Sequence, residues 1–418
     1  MSTPYDIAII GGGAAGFFAA IHAADAGRNR VVILEKTSKL LTKVGVSGGG
    51  RCNVTHDCPY PNQLVQFYPR GGKRLRKAFE KFNTVHTRSW FENRGVALKT
   101  EADGRVFPVS NNSQTIIDCL MVEAGQSGIA IRLKSDVQRI SPEEKGGFSL
   151  SLQGGESILC HKVIVTAGGF NKPEGYDWIT RLGLHIANPV PSLFTFNVPD
   201  SDMKDLMGLS VPRGFVQIPG SKWKEDGPVL ITHWGFSAPA VIKLSSRAAI
   251  DLHSRQYAFP ILINWTGEGE DTVRQKLMDM RENNPSKRVS ANPGFDIPTR
   301  LWERLCGKAE IPAELRHADL PAKKANKLIE ILIRCAYEVN GKTTFKEEFV
   351  TCGGVLLDEV DLTTFESKKI PGLYFAGEVL DVDGVTGGYN FQHAWTSGFL
   401  AGSYAAQSVR ADTALKPI

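Results

Sequence analysis

The chain has 418 residues, 42% of them hydrophobic and 22% charged, which is enough apolar material for two or three domains and too much chain for a single core. Its 49 basic and 44 acidic residues leave a formal net charge of +5, without the concentrated positive field of a dedicated nucleic-acid binder. Seven scattered cysteines read against a disulfide framework, and no apolar run approaches the ~20 residues of a membrane span.

A reducing, cytoplasmic setting is therefore expected, and the residues ahead of Tyr5 carry no charged and apolar leader. The first 35 residues then run through an apolar strand YDIAII, a turn GGGAAG, an alanine-rich helix through about Ala26 and a second strand RVVILE. That order opens a parallel, doubly wound sheet. Gly11, Gly13 and Gly16 spell G-x-G-x-x-G between strand and helix. The first glycine permits the turn, the second admits a pyrophosphate and the third lets helix and strand pack closely. Phosphate charge is met by free N–H groups at the helix N-terminus. Glu35 ends the second strand, 19 residues beyond Gly16, where an acid binds adenosine ribose hydroxyls and disfavours a 2′-phosphate. This fingerprint fits NAD and FAD equally.

Next comes GVSGGGRCNVTHDC, residues 45 to 58. A dithiol relay between Cys52 and Cys58 is weakened by the five residues separating them and by Pro59 directly after. Cys52, His56 and Cys58 have no fourth neighbour for zinc, and the G-K-[ST] ending of a Walker loop is missing. The stretch reads best as a wall around a flavin. Gly48, Gly49 and Gly50 bring N–H groups close, Ser47 and Asn53 hydrogen-bond ring edges, and Arg51 offsets negative charge. Cys52 is then a packing residue with a smaller claim on chemistry.

The basic stretch YPRGGKRLRKAFEKF follows, its Arg74, Lys77 and Lys81 at helical spacing, read as a solvated helix face with an anionic partner as the alternative. After a helix near SQTIIDCLMVEAGQ come strands in GIAIRLKSDVQRIS, GFSLSLQGG and CHKVIVTAGG. Val137 is a candidate backbone contact for adenine, and the turn at Gly168 and Gly169 is placed to close over a dinucleotide. The prolines of ANPVPSLFTFNVPD mark a chain leaving one domain for another. Beyond them RGFVQI, GPVLITHW and AFPILINW read as strands. DTVRQKLMDMREN, IPTRLWERLC and LPAKKANKLIEILIRCAYEV read as helices, with Leu328, Ile331, Leu332 and Cys335 on one apolar face of the last.

Glycine-rich α/β character returns from about Thr343. In PGLYFAGEVLDVDGVTGGYNFQHAWTSGFLAG a strand from Leu373 to Ala376 stops at Gly377 and delivers Glu378 and Asp381. These acids suit a ribitol chain, which FAD has and nicotinamide cofactors lack. Gly387 and Gly388 bare the backbone before a helix starting near Asn390, whose positive end suits the charge of a reduced flavin. No internal repeat is evident.

Taken together, GGGAAG, KVGVSGGGRCNVT, GRVFPVS, THWGFSAPAV, VTCGGV and GLYFAGEVLDVDGVTGGYNFQ make the chain resemble, over nearly its whole length, the bacterial flavoproteins described as HI-0933-like. The resemblance implies an α/β, Rossmann-like FAD-binding domain interrupted by an inserted β-rich domain and a small helical domain. The corresponding boundaries are 1–187 and 344–418 for the FAD-binding domain and 188–343 for the insertion. It implies FAD held along the matching motifs, which adds Ala14, Ala15, Lys36, Lys43, Ala167, Tyr389, Asn390 and Phe391 to the residues above. Members are linked to reduction of activated double bonds and to amine oxidation. Two departures stand out, His56 for an asparagine and Ala238 for a glycine.

On the substrate side, His233 in THWGFSAPAV is a candidate proton donor, set against a strand-end histidine beside a helix capped by Ser237. His393, Tyr389 and Cys52 complete the candidate catalytic set. The expected activity is an FAD-dependent oxidoreduction of a small organic substrate. No second G-x-G-x-x-G follows a strand, so either NAD(P)H binds transiently in the substrate cleft or the electrons come from the substrate. A flavin-binding, RNA-associated protein without turnover is the alternative. No metal, membrane or dedicated nucleic-acid site is expected.

Overall fold

The computed structural model describes residues 4–25, 29–343 and 350–414. The chain divides into two compact units, one built from Met1–Pro191 with Lys346–Ile418 and the other from Ser192–Phe345.

In the first unit, the alternation-free apolar runs that read as buried strands form a central parallel sheet. Strand β1 (Tyr5–Ile10) lies between β2 (Val31–Leu34) and β6 (Ser157–Val165), with β3 (Ala130–Arg132) outside β2. On the far side β7 (Leu373–Phe375) pairs in parallel with β6, so a strand more than 200 residues later in sequence extends the sheet begun at Tyr5, and two short antiparallel strands, Glu366–Ser367 and Val360–Asp361, continue it. An antiparallel ribbon of β4 (Val137–Pro142) and β5 (Phe148–Leu152) extends from β6. Four-residue β2 is buried throughout, as a strand covered on both faces must be.

Helix α1 (Ala14–Asp25) follows the glycine turn, and α3 (Tyr389–Ala414) packs along it. The contact is made of small residues. A Cβ on Gly398 would come within 2.8 Å of Ala15 O and one on Gly402 within 2.3 Å of Ala19 O. The expected end of α1 at Ala26 lies outside the described residues. Between these helices, α2 (Thr42–Gly50) begins as a helix where a loop was expected. It leaves helical geometry at Ser47, Gly48 and Gly49.

The second unit carries a seven-stranded sheet ordered Cys335–Asn340, Ala258–Asn264, Ser210–Gln217, Lys224–Ile231, Gly235–Ser237, Thr195–Asn197, Lys342–Thr343. Helices Pro239–Arg247, Glu270–Asn283, Thr299–Lys308 and Ala322–Arg334 contribute to its own core around Phe196, Phe236, Trp265 and Trp302. Two expectations change here. Cys335 is no helical residue: CAYEVN is a strand with a buried–exposed alternation of period two, which the apolar helix before it masks. Ser237 does not cap a helix, because the N-cap is Ala238 and no side chain bonds there. Ala238 itself sits at φ 80° and ψ 174°, backbone space that glycine occupies freely and alanine only under strain.

The basic stretch also changes. Its helix spans only Arg76–Lys81, preceded by a 3-10 turn at Gly72–Leu75. Arg74 lies in that turn and pairs with Asp358, and Lys81 bonds and stacks on Tyr404. Two of the three cations read as a free face are therefore engaged.

Candidate functional site

At the first glycine turn, β1 ends and Gly11 N–H donates to Leu34 O (2.8 Å). Gly12 N–H donates to Glu35 Oε2 (2.8 Å), while Thr37 N–H donates to Oε1 (2.8 Å). The acid at the end of β2 is thereby aimed back at the turn, with lone pairs left over for hydroxyl donors. Gly16 must be glycine: a Cβ there would stand 1.9 Å from Gly11 O. Around Gly13 a Cβ would meet nothing within 4 Å, so this stretch of backbone is open to a ligand. Ala14 and Ala15 form the first turn of α1.

The neighbouring strand ends converge on the same turn. Thr166 Oγ1 donates to the Ile10 and Gly11 carbonyls (both 3.0 Å), which brings Ala167, Gly168 and Gly169 beside it. Ser135 N–H donates to Glu35 O (2.9 Å) and holds the approach to Val137 at the end of β2. Lys36 lies over the Phe170 ring, 5.5 Å from its centroid.

On the opposite edge, β7 ends at Phe375 and Gly377 N–H donates to Ser397 Oγ (2.9 Å). Glu378 bonds Lys43 through one carboxylate oxygen and accepts from Thr351 N–H (2.9 Å) through the other. Beside it, Thr351 Oγ1 is buried without a partner among the described residues and would lie 2.6 Å from a Cβ on Gly169. An orphaned buried hydroxyl costs free energy unless a ligand meets it. Asp381 is half-buried, and its carboxyl is raised above the usual range by burial and by Asp383, with Arg70 opposing.

The loop from Asp383 to Asn390 is held from several sides. Asn390 clamps it internally: its amide accepts from Gly384 N–H (2.8 Å) and donates to Gly384 O (3.0 Å). Asn53 reaches in from the first glycine loop, Oδ1 accepting from Gly388 N–H (3.0 Å) and Nδ2 donating to Thr55 O (2.9 Å). His56 Nδ1 is 3.0 Å from Gly387 O. A carbonyl only accepts, so the proton is on Nδ1. The His56 ring stacks on Tyr389, 4.7 Å between centroids, and Tyr389 stacks on Phe67 at 4.5 Å. Gly388 has φ 92°, and a Cβ would press within 2.6 Å of the Thr55 backbone. Phe391 stacks on Trp395.

Residues 45–53 lie in the same unit. Gly48, Gly49 and Gly50 run at φ 59°, 69° and 81°, and Gly49 and Gly50 have open space where a side chain would be. Ser47 Oγ donates to Val44 O (3.0 Å). Arg51 pairs with Glu101 and lies over Phe107, 4.0 Å from the ring centroid, so its charge is already matched. Cys52 is fully buried, and burial pushes its thiol up to about 12. It remains protonated, which removes thiolate chemistry. Cys58 is likewise a free thiol.

The other candidate catalytic residues separate in the same way. His393 is buried, and burial pushes its imidazole down to about 4, with the backbone at Gly377 opposing. It is neutral and enclosed. Burial, Cys58 and Asp103 push the Tyr389 hydroxyl well up. His233 lies in the second unit, exposed in the turn before Gly235–Ser237, its ring against Trp234 at 3.9 Å. Sequence reading missed His56 and Asn53 as holders of the glycine loop, because their partners lie more than 330 residues away. It also missed Thr351.

Compared with known proteins, residues 5–404 match the HI0933-like protein Rossmann domain. The chain is 32% identical over 407 residues to the ribosomal RNA dihydrouridine synthase of Escherichia coli, covering 94% of this chain and 96% of that one. It is 26% identical to the 3-dehydro-bile acid delta(4,6)-reductase of Clostridium scindens, over 96% and 99% of the two chains. Among solved structures it resembles 3-ketosteroid-delta4-(5alpha)-dehydrogenase from Rhodococcus jostii, with a TM-score of 0.53, 14% identity and 97% of each chain covered, a likeness of fold. Among the described residues no helix is long and apolar enough to cross a membrane.

Proposed function

The chain belongs to the HI0933-like family of FAD-binding Rossmann oxidoreductases, and on that premise we propose that it reduces a carbon–carbon double bond conjugated to a carbonyl, with uridine in ribosomal RNA as substrate. The observation that carries this reading is the similarity to a ribosomal RNA dihydrouridine synthase over 94% of the chain. The pyrimidine double bond of uridine and the double bonds named for the bile-acid relative are both activated by conjugation with a carbonyl. One flavin chemistry serves both. The expectation of no dedicated nucleic-acid site gives way, in this reading, to an RNA substrate.

The residues fit FAD. Gly11, Gly13 and Gly16 with the N-terminus of α1 receive the pyrophosphate, Glu35 the adenosine ribose, and the backbone near Val137 the adenine. Ala167 to Gly169, Gly377, Glu378 and Asp381 border the ribitol, with Thr351 Oγ1 as a further donor. Gly48 to Gly50, Gly387, Gly388 and Tyr389 form the wall for the ring system. When bound, reduced FAD supplies a hydride, which the conjugated carbonyl makes the substrate able to accept. The chain's part is to bind and orient, and to supply a proton. Of the candidate donors in the first unit, Cys52 and His393 are enclosed and Tyr389 is held too weakly acidic. NAD(P)H serves as the transient reductant.

The test is anaerobic. NADPH or NADH bleaches the flavin band of the purified protein, unmodified ribosomal RNA restores it, and the digested RNA contains dihydrouridine. Restoration by a conjugated keto-steroid but not by RNA moves the assignment to a small-molecule substrate. Absence of bleaching with either nicotinamide removes the reductase reading and favours a flavin-binding, RNA-associated protein without turnover.

A further inference from the structure

Arg70 heads the basic stretch that the sequence offers to an anionic partner, yet it turns inward. Its Nε and Nη2 grip the two carboxylate oxygens of Asp383, a fully buried acid 313 residues away. The guanidinium side chain is itself only 12% exposed. The two residues also form an isolated antiparallel bridge. On either side the same segment makes two further contacts with the loop. Val385 N–H donates to Phe67 O (2.9 Å), and Tyr68 Oη donates to Tyr389 O (2.7 Å). Residues 67–70 thus lie as a strap along residues 383–389.

We infer that Arg70 is a positioning residue for the flavin, acting through Asp383 to hold the loop of Gly387 and Gly388 in its cofactor-receiving shape. The planar fork matters as well as the charge. Two parallel N–H···O bonds fix the carboxylate in angle and in distance, which a lysine ammonium cannot do. The inference rests on the seating of FAD proposed above and is independent of the substrate.

The test compares wild type with Arg70→Lys, Asp383→Asn and the apolar pair Arg70→Met with Asp383→Leu. The pair removes both buried charges together, which folded proteins tolerate better than removal of one. Arg74→Met, in the same stretch but 42% exposed and paired to an exposed Asp358, is the control. Arg70→Lys and the apolar pair are expected to weaken FAD binding by about tenfold, an ordinary effect of losing a charged bidentate contact, and to change the visible circular dichroism and midpoint potential of the flavin that remains. Arg74→Met is expected to leave all three unchanged. Wild-type affinity, dichroism and potential in both Arg70→Lys and the apolar pair overturn the inference. A wild-type protein that takes up no FAD overturns the seating itself, a different result.

Discussion

The glycine turn at residues 11–16 and the loop at 383–390 are both glycine-rich and both border the proposed flavin, yet they are held in opposite ways. The turn is fixed mostly by its own neighbourhood, Gly16 against Gly11 O and Gly12 N–H on Glu35, with Thr166 as its one holder from farther along the chain among those named. The loop has one internal clamp, Asn390 on Gly384. Its other holders are His56, Asn53, Phe67, Tyr68 and Arg70, all more than 300 residues away in sequence. A turn of the first kind is intrinsic to its sequence. A loop of the second kind exists only once the unit has folded, and its shape answers to distant substitutions.

The sharpest way to break the turn is Gly16→Ala. With a Cβ 1.9 Å from Gly11 O, strand and helix cannot both keep their places, and a loss above ~4 kcal/mol is expected. Little FAD-loaded protein should be recovered, read from the ratio of flavin to protein absorbance. Protein of normal flavin content and melting temperature would show that the turn has slack.

Acid tests both helices of the seam together, because each carries a histidine whose imidazole is held low, His393 buried and His22 partly buried. His22 on α1 and His393 on α3 are both lowered by burial from 6.5 to about 4. Unfolded, each takes up a proton below pH 6.5, which the folded site refuses until about pH 4. Their contribution is therefore intact above pH 6.5 and is lost as pH falls toward 4, by about 3 kcal/mol each. Urea titrations should show His22→Gln and His393→Gln each flattening the decline between pH 6.5 and 4. Parallel declines in variant and wild type would sink the assignment.

For the loop, Gly388→Ala forces a side chain into φ 92° against the Thr55 backbone, at a cost of about 2 kcal/mol. In contrast to Gly16→Ala, it should spare the fold and lower FAD affinity. His56→Leu removes one bond to Gly387 O and should cost ~1 kcal/mol by denaturant melt. In the second unit the sign reverses. Ala238→Gly relieves a strained backbone and should stabilise by ~1 kcal/mol, and a lowered melting temperature would refute that.

The same contrast explains how much was legible in the sequence. Gly11, Gly13, Gly16 and Glu35 could be read because their chemistry is complete within one strand–turn–helix–strand unit. Glu378, Gly387 and Gly388 were readable as a pattern, though not the contacts that shape them. Arg70 drew no reading of its own beside Arg74, Lys77 and Lys81, since nothing within its stretch announces Asp383. Cys52 drew attention through its neighbour Cys58, and only burial at 0% exposure shows a thiol kept from ionising. Cys335 was assigned to a helix because an apolar face runs without a break into a strand.

The seam between α1 and α3 has a consequence for how the protein is made. Ala15 and Ala19 precede the second unit in the chain, but the surfaces they fit, at Gly398 and Gly402, are synthesised only after the whole of that unit. Until then the dinucleotide turn exists beside an uncovered helix, and β6 lacks its outer partner β7. The second unit, contiguous in sequence, has no such wait. The first unit can therefore close its helix seam and its parallel sheet only after the second unit has been made.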